Sequence, residues 1–274
     1  MSTAGPYSDE SINRIYQSLF CDNLALYDSS NSDYPWDALF GESSAALGEL
    51  LINPSSDPRI QLLAANQLRN LDLLPPTNRL LGIVLEVNLP EGLDTLAAYK
   101  NGVATYINHT EKSIFWDSPT EESNLLTNQL FETGEKIYKK LSPWPQDRLD
   151  PPHTNHLRIN FLAEQGLYFG QGPISMLLND TLARPTLITA TNLMRYLVDT
   201  PLTQTRYAMI TPYLSSILSI FFALGALNLN TSQTQNLLGV QGPIVFEKTS
   251  FSLSWSSHPS ATYYKHEYLA KGVN

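Results

Sequence analysis

The stretch Leu80-Leu81-Gly82-Ile83-Val84-Leu85-Glu86-Val87-Asn88-Leu89 decides the fold class. Leu81, Ile83, Leu85, Val87 and Leu89 alternate with Gly82, Val84, Glu86 and Asn88, and a period of two puts successive side chains on opposite faces of an extended chain. The pattern predicts a half-buried strand. Residues 95–99 and 103–107 flank Lys100-Asn101-Gly102, where Asn-Gly can take the positive φ angles of a type I′ turn, so a hairpin is expected there. Asn108-His109-Thr110-Glu111-Lys112 reads as a further turn into residues 113–116, which makes the region an antiparallel meander of four strands.

Upstream the period is helical. Ile12, Ile15, Tyr16, Leu19 and Phe20 fall at i, i+3, i+4, i+7 and i+8, with Cys21 as a small core residue of the same helix and the polar run 28–35 ending it. A second helix is expected over 36–51. A third is announced by Asp57-Pro58, an N-cap side chain followed by proline at the first helical position.

Downstream, Ser118-Pro119-Thr120-Glu121 reads as a capping box, and Leu126, Leu130, Ile137, Tyr138 and Leu141 make the apolar face of the helix it opens. The Pro-rich run 143–153 ends that helix and serves as a crossover loop within one unit. Residues 157–163, a Glu164-Gln165-Gly166 turn and Leu167-Tyr168-Phe169 then form a second hairpin added to the sheet. In GLYFGQGP (166–173), Gly170 and Gly172 are expected to take unusual backbone angles, with Pro173 starting the next helix. Beyond it comes a helix with Pro185 near its start and Leu187, Met194, Leu197 and Val198 inward.

The fold class expected is α+β: N-terminal helices, an antiparallel β-meander with helices packed on it, and a C-terminal helix and β-hairpin. Residues 1–200 form the core domain, with helices over 10–74 and the sheet and further helices over 80–199. Residues 201–274 carry an apolar helix and a hairpin with arms at 251–255 and 262–269, packed on the core or on a partner. No Asp, Glu, Lys, Arg or His occurs between Arg206 and Glu247, and the stretch 210–227 is long enough to consider as a membrane span. Leu214, Ile217, Leu218, Phe221 and Phe222 form a stripe opposite Ser215, Ser216 and Ser219, and no basic cluster flanks them, so packing against protein is the better account.

The segment EVNLPEGLDTLAAYKNGVATYINH (86–109), together with Pro143-Trp144 and GLYFGQGP, resembles a family of uncharacterised bacterial proteins without an assigned activity. The resemblance covers roughly residues 80–198, and residues 200–274 depart from it. It implies a bacterial cytoplasmic protein with an intact α+β unit, and it brings no catalytic residue.

Composition excludes some functions. A charge of −9, from 17 basic and 26 acidic residues, leaves no cationic footprint for a nucleic-acid backbone. The single cysteine, Cys21, excludes an intramolecular disulfide framework and a thiolate-rich metal site, which fits a reducing, cytoplasmic location. The N-terminus lacks the basic and apolar regions of a secretory signal, so none is expected.

Few residues could carry chemistry. Gly170-Gln171-Gly172-Pro173-Ile174-Ser175 approaches a dinucleotide-binding fingerprint, but Pro173 has no N–H to donate and Ser175 stands where the third glycine belongs. Asp147, Asp150, His153 and His156 fall three apart, and on a polyproline II segment they would line one edge as weak candidates for a divalent metal. His109 reads as a turn residue rather than a base. No catalytic or cofactor-binding residue is assigned and no cofactor is expected. The reading that follows is a non-enzymatic binding or assembly protein associating with a protein partner or with itself through residues 201–274. The alternative is a small-molecule or metal-dependent hydrolase with its site at the 147–156 loop.

Overall fold

The structure, a computed structural model, describes residues 5–27, 35–41 and 43–200. The alternating stretch is β1 (Leu80–Leu89), and it pairs antiparallel with β2 (Gly92–Tyr99) on one side and β5 (His156–Ala163) on the other. With β3 (Ala104–Ile107), β4 (Ser113–Trp116) and β6 (Gly166–Pro173) it makes a six-stranded sheet in the order β4-β3-β2-β1-β5-β6, every neighbour antiparallel. The meander and the added hairpin are both present.

Helices cover both faces. Ile83, Leu85 and Val87 share a core with Leu96, Tyr106, Ile159 and Phe161 beneath α5 (Glu121–Tyr138), α6 (Ile174–Asn179) and α7 (Ala183–Asp199). On the opposite face Val84 packs with Ala97, Tyr99, Ile107 and Leu162 beneath α1 (Glu10–Ser18), α2 (Trp36–Phe40), α3 (Ser44–Ile52) and α4 (Pro58–Asn70). The expectation of a half-buried strand is therefore corrected: β1 is buried on both sides apart from a partly exposed Asn88. From Gly82 on the alternation holds, one face taking only aliphatic residues while the other takes Gly82 against Leu162 and Tyr99, then Val84, and then Glu86 and Asn88 with polar partners; Leu81 is corrected to the Val84 core, beside the register shift at Leu80/Gly82.

Local chemistry explains the helix starts. Asp9 accepts from Ser11 N at 2.8 Å to cap α1, and Asp57 accepts from Arg59 N at 2.8 Å with Pro58 at the first position of α4. The capping box of α5 forms two residues later than expected. Thr120, in extended conformation, accepts from Ser123 N at 3.1 Å, and Ser123 Oγ accepts from Thr120 N at 2.8 Å. Ser123 replaces Glu121 in that role because its short hydroxyl also receives the indole N–H of buried Trp116 at 3.2 Å.

Other expectations shift at glycines and turns. The helix expected over 36–51 is two, α2 and α3, separated at Gly41, which is extended at φ −78° and ψ 167°. Cys21 lies past the end of α1 at φ 51°, buried; desolvation pushes its thiol up to about 12. At the first hairpin Gly102 alone of the Lys100-Asn101-Gly102 turn has positive φ, 86°, so the turn is not type I′. GLYFGQGP is strand throughout, paired to β5 from Gly166 opposite Ala163 to Pro173 opposite His156. Its positive φ, 131°, is at Gly166 rather than Gly170 or Gly172, and Pro173 precedes α6 instead of opening it.

Among the described residues no helix is long and apolar enough to cross a membrane. The uncharged stretch 207–246 and the C-terminal hairpin expected after it lie outside the described residues.

Candidate functional site

The polar groups that the sheet buries are concentrated at Glu86 and Asp94, one on each face. Register sets the first. Glu86 lies opposite Thr95 on β2 and Arg158 on β5, and Arg158 lies opposite Gln171 on β6, so four polar side chains form one rung across the sheet. Glu86 is fully buried. Its Oε1 accepts from the Tyr16 hydroxyl at 2.5 Å, and its Oε2 accepts from Asn160 Nδ2 at 2.8 Å and from Arg158 Nη1 at 3.5 Å.

Arg158, equally buried, uses its whole fork. Nε donates to Gln171 Oε1 at 2.9 Å, Nη2 to the Asp150 carbonyl at 2.8 Å, and Nη1 also to the Leu149 carbonyl at 3.3 Å. The ring of Phe169 lies against the guanidinium, 5.3 Å to the centroid. A buried ion pair of this kind is tolerated because the remaining donors are met. Burial, followed by the neighbouring Glu86 carboxylate, raises the Tyr16 phenol well above the ordinary tyrosine value, so its proton stays available to Glu86. Asn160 Oδ1 is buried without a partner among the described residues.

Three further contacts involve the segments that flank α1. The Tyr7 hydroxyl lies 3.0 Å from Thr95 Oγ1, Arg148 stacks on Phe20 at 3.8 Å, and Arg148 Nε donates to Asp22 at 2.9 Å. Glu111, in the turn between β3 and β4, accepts from the backbone N–H groups of Ser8 at 2.6 Å and Asp9 at 3.0 Å.

Asp94 occupies the other face, in the same parity as Leu96 and Ala98. It is fully buried and accepts from Tyr106 Oη at 2.9 Å and from the backbone N–H of His109 at 2.7 Å, while the His109 ring Nδ1 lies 3.0 Å away. His109 sits on the Asn108 turn, where Asn108 Oδ1 accepts from Thr110 N and Lys112 N, both at 3.0 Å. The hydrogen bond to Asp94 raises the imidazole above its ordinary value; partial burial pulls the other way, and the charges of Asp94 and Glu91 reinforce the rise. With Nδ1 turned to Asp94, Nε2 is the ring's remaining polar atom. A carboxylate-oriented imidazole of this kind can accept and return a proton or ligate a metal through Nε2.

The sequence-derived candidates are arranged differently from the single edge expected of them. The chain of Asp147, Asp150, His153 and His156 bends across the β1–β5 end of the sheet, with Asn88 Nδ2 donating to the Pro152 carbonyl at 2.7 Å and the Asn155 N–H to the Asn88 carbonyl at 2.6 Å. His153 and His156 come together, rings 6.1 Å apart and edge to face. Asp147 and Asp150 are engaged through backbone carbonyls, by Trp144 Nε1 and Arg158 respectively. Among the described residues no three His, Cys, Asp or Glu side chains are placed to hold a metal ion.

Sequence reasoning missed Asp94, Tyr106, Arg158 and Asn160, and read Glu86 only as the polar partner in an alternation. A signal was there for Asp94: an acidic residue in phase with Leu96 and Ala98 has to face the same core as they do. Comparison with family models, with curated proteins and with solved structures returns no match to this chain.

Proposed function

We propose that the protein is a non-enzymatic binding or assembly protein, a layered α+β scaffold that associates with a protein partner or with itself through residues 201–274. The observation that carries this reading is the engagement of Glu86: both carboxylate oxygens are occupied by Tyr16, Asn160 and Arg158, groups from α1 and the neighbouring strand. A carboxylate so enclosed, bonded on both oxygens and fully buried, cements layers. The sequence supplies the association element, since residues 207–246 carry no charged side chain in a chain of net charge −9. Sedimentation velocity on the full chain, native and with Leu218→Glu, tests it. A concentration-dependent complex that the substitution weakens is expected; a strictly monomeric native chain that also binds no protein would sink the reading.

A metal-dependent hydrolase at the 147–156 loop is favoured by one observation, the adjacency of His153 and His156. Titration calorimetry with zinc discriminates. Stoichiometric binding that disappears in a His153→Ala, His156→Ala variant supports it, and the absence of binding heat removes it.

A further inference from the structure

The C-terminal end of α7 lies against the start of α5. Tyr196 fixes the contact: its hydroxyl is 2.8 Å from Oγ1 of Thr120, which caps α5, and its ring meets Trp116 edge to face at 5.5 Å. The Thr200 N–H donates to the Tyr196 carbonyl at 3.0 Å, so the chain continues toward residue 201 from a point about 6 Å along the helix axis from Tyr196. Residues 201–274 are thus tethered beside the first turns of α5.

The α5 face at that tether is acidic around one exposed apolar side chain. Residues 113–135 carry Asp117, Glu121, Glu122, Glu132 and Glu135 and no Lys, Arg or His. Leu125 is 57% exposed, and its neighbours on the helix surface at i−4, i−3, i+3 and i+4, namely Glu121, Glu122, Asn128 and Gln129, are exposed as well. Asp117, also exposed, has Arg59 Nη1 at 3.9 Å, whereas Glu121 and Glu122 form no ion pair among the described residues. The positive end of α5 favours Glu121 and Glu122 where they stand, and Asp117 and Glu132 extend the same sign beyond that turn.

Charge is divided unequally along the chain. Residues 1–200 hold 13 basic and 24 acidic side chains, a net −11, while residues 201–274 hold 4 basic and 2 acidic, a net +2. Near the end of that second part, Lys265 and Lys271 bracket Tyr268 and Leu269, with Glu267 the one acidic residue among residues 262–271. We propose that residues 262–271 dock on the solvent face of α5 in the same chain, with Lys265 and Lys271 against Asp117, Glu121 and Glu122 and with Tyr268 and Leu269 over Leu125. Opposite charge selects this occupant over the acidic core of a second copy. The tether at Thr200 selects the same chain over another, because docking is then intramolecular and the segment's effective concentration is raised. The contact goes beyond the reading of residues 201–274 as an association element by giving the end of that element a place on its own core.

Disulfide trapping in the full chain tests it. The one native cysteine, Cys21, is buried, and Leu125 is exposed, so Leu125→Cys with Leu269→Cys adds two accessible thiols without opening the described core. A control pairs Leu269→Cys with Lys136→Cys, an exposed position about 16 Å further along α5 and beyond the roughly 4.4–6.8 Å span of a disulfide. Under mild oxidation the 125/269 pair is expected to close within one chain at least ~10-fold faster than the control. Adding Lys265→Glu and Lys271→Glu should slow closure at least ~5-fold, and Glu121→Lys with Glu122→Lys on top of them should restore it, an outcome that loss of folding could not produce. Closure that persists in a Leu218→Glu background supports the docking independently of any association. Equal rates at positions 125 and 136, or a rate that ignores the charge reversals, overturn the proposal. Disulfides formed only between chains overturn it too, while leaving self-association through residues 201–274 standing.

Discussion

Glu86 shows how one side chain can tie three parts of the chain together. Its carboxylate joins α1, β1 and β5, at sequence separations of 70 to Tyr16 and 72 to Arg158. Removing it alone leaves Arg158 buried without its counter-charge, and breaking one half of a buried pair costs about 3–5 kcal/mol. Glu86→Leu is therefore expected to lower unfolding free energy by about that amount, whereas Glu86→Leu with Arg158→Met should recover much of the loss. Urea melts of both singles and the double close the cycle, and additive losses would show that the two charges are not coupled. Asp94 acts through an ionisable partner instead. His109 has a folded-state affinity for protons raised by Asp94, so its contribution to stability is fully present below the unfolded imidazole value, about 6.5, and is lost as pH rises through the higher folded value. Ring-proton NMR should place the native His109 midpoint above 6.5 and find it lowered in Asp94→Asn, which keeps a polar group for Tyr106 but removes the charge. An unchanged midpoint would mean that the Asp94 contact does not govern the ring.

At the scale of elements, close approach of helix to sheet rests on a missing side chain. A Cβ at Gly134 in α5 would come within 2.8 Å of Ile83 Cδ1 and 3.2 Å of Phe161 Cε1, so α5 lies closer to β1 and β5 here than a larger residue allows. Gly134→Val should destabilise by about 1–3 kcal/mol through overpacking, even though valine is the better helix former. Differential scanning calorimetry reads the loss as a lowered Tm, and an unchanged Tm would mean that the layer yields without strain. The same element shows what could be read in advance. Its apolar spacing located the helix, and the alternation of β1 located the sheet, because both depend only on local periodicity. The capping residue was misplaced because Ser123 is selected by Trp116, a partner seven residues away that the cap motif does not encode. Gly170 to Pro173 is expected to leave the strand because glycine and proline are turn residues by composition; pairing with β5 over the whole of GLYFGQGP overrides that local preference. The partners of Glu86 and Asp94 were out of reach for a similar reason: register brings them together, and register across β1, β2, β3 and β5 is a property of the assembled sheet.

For the molecule as a whole, the order β4-β3-β2-β1-β5-β6 puts the strand first in sequence near the centre and covers both of its faces, so β1 can be exposed only by removing layers from both sides. Amide exchange should therefore divide the described chain into tiers, with β1 and the inner bonds of β2 and β5 opening only with global unfolding. The N-terminal segment belongs to a lower tier. Its first turn hangs on the partly buried Glu111 carboxylate at Ser8 and Asp9, so Glu111→Ala should speed exchange at residues 7–9 while shifting the global urea midpoint by less than about 1 kcal/mol-equivalent. β6 supplies a finer pattern within one strand. In the isolated chain its inward amides at Tyr168 and Gly170 are held by β5, while those of Phe169 and Gln171 face outward, so protection should alternate residue by residue. Uniform protection across residues 168–171 would show that the outward amides are held as well, and uniformly fast exchange would mean that β6 opens as a unit.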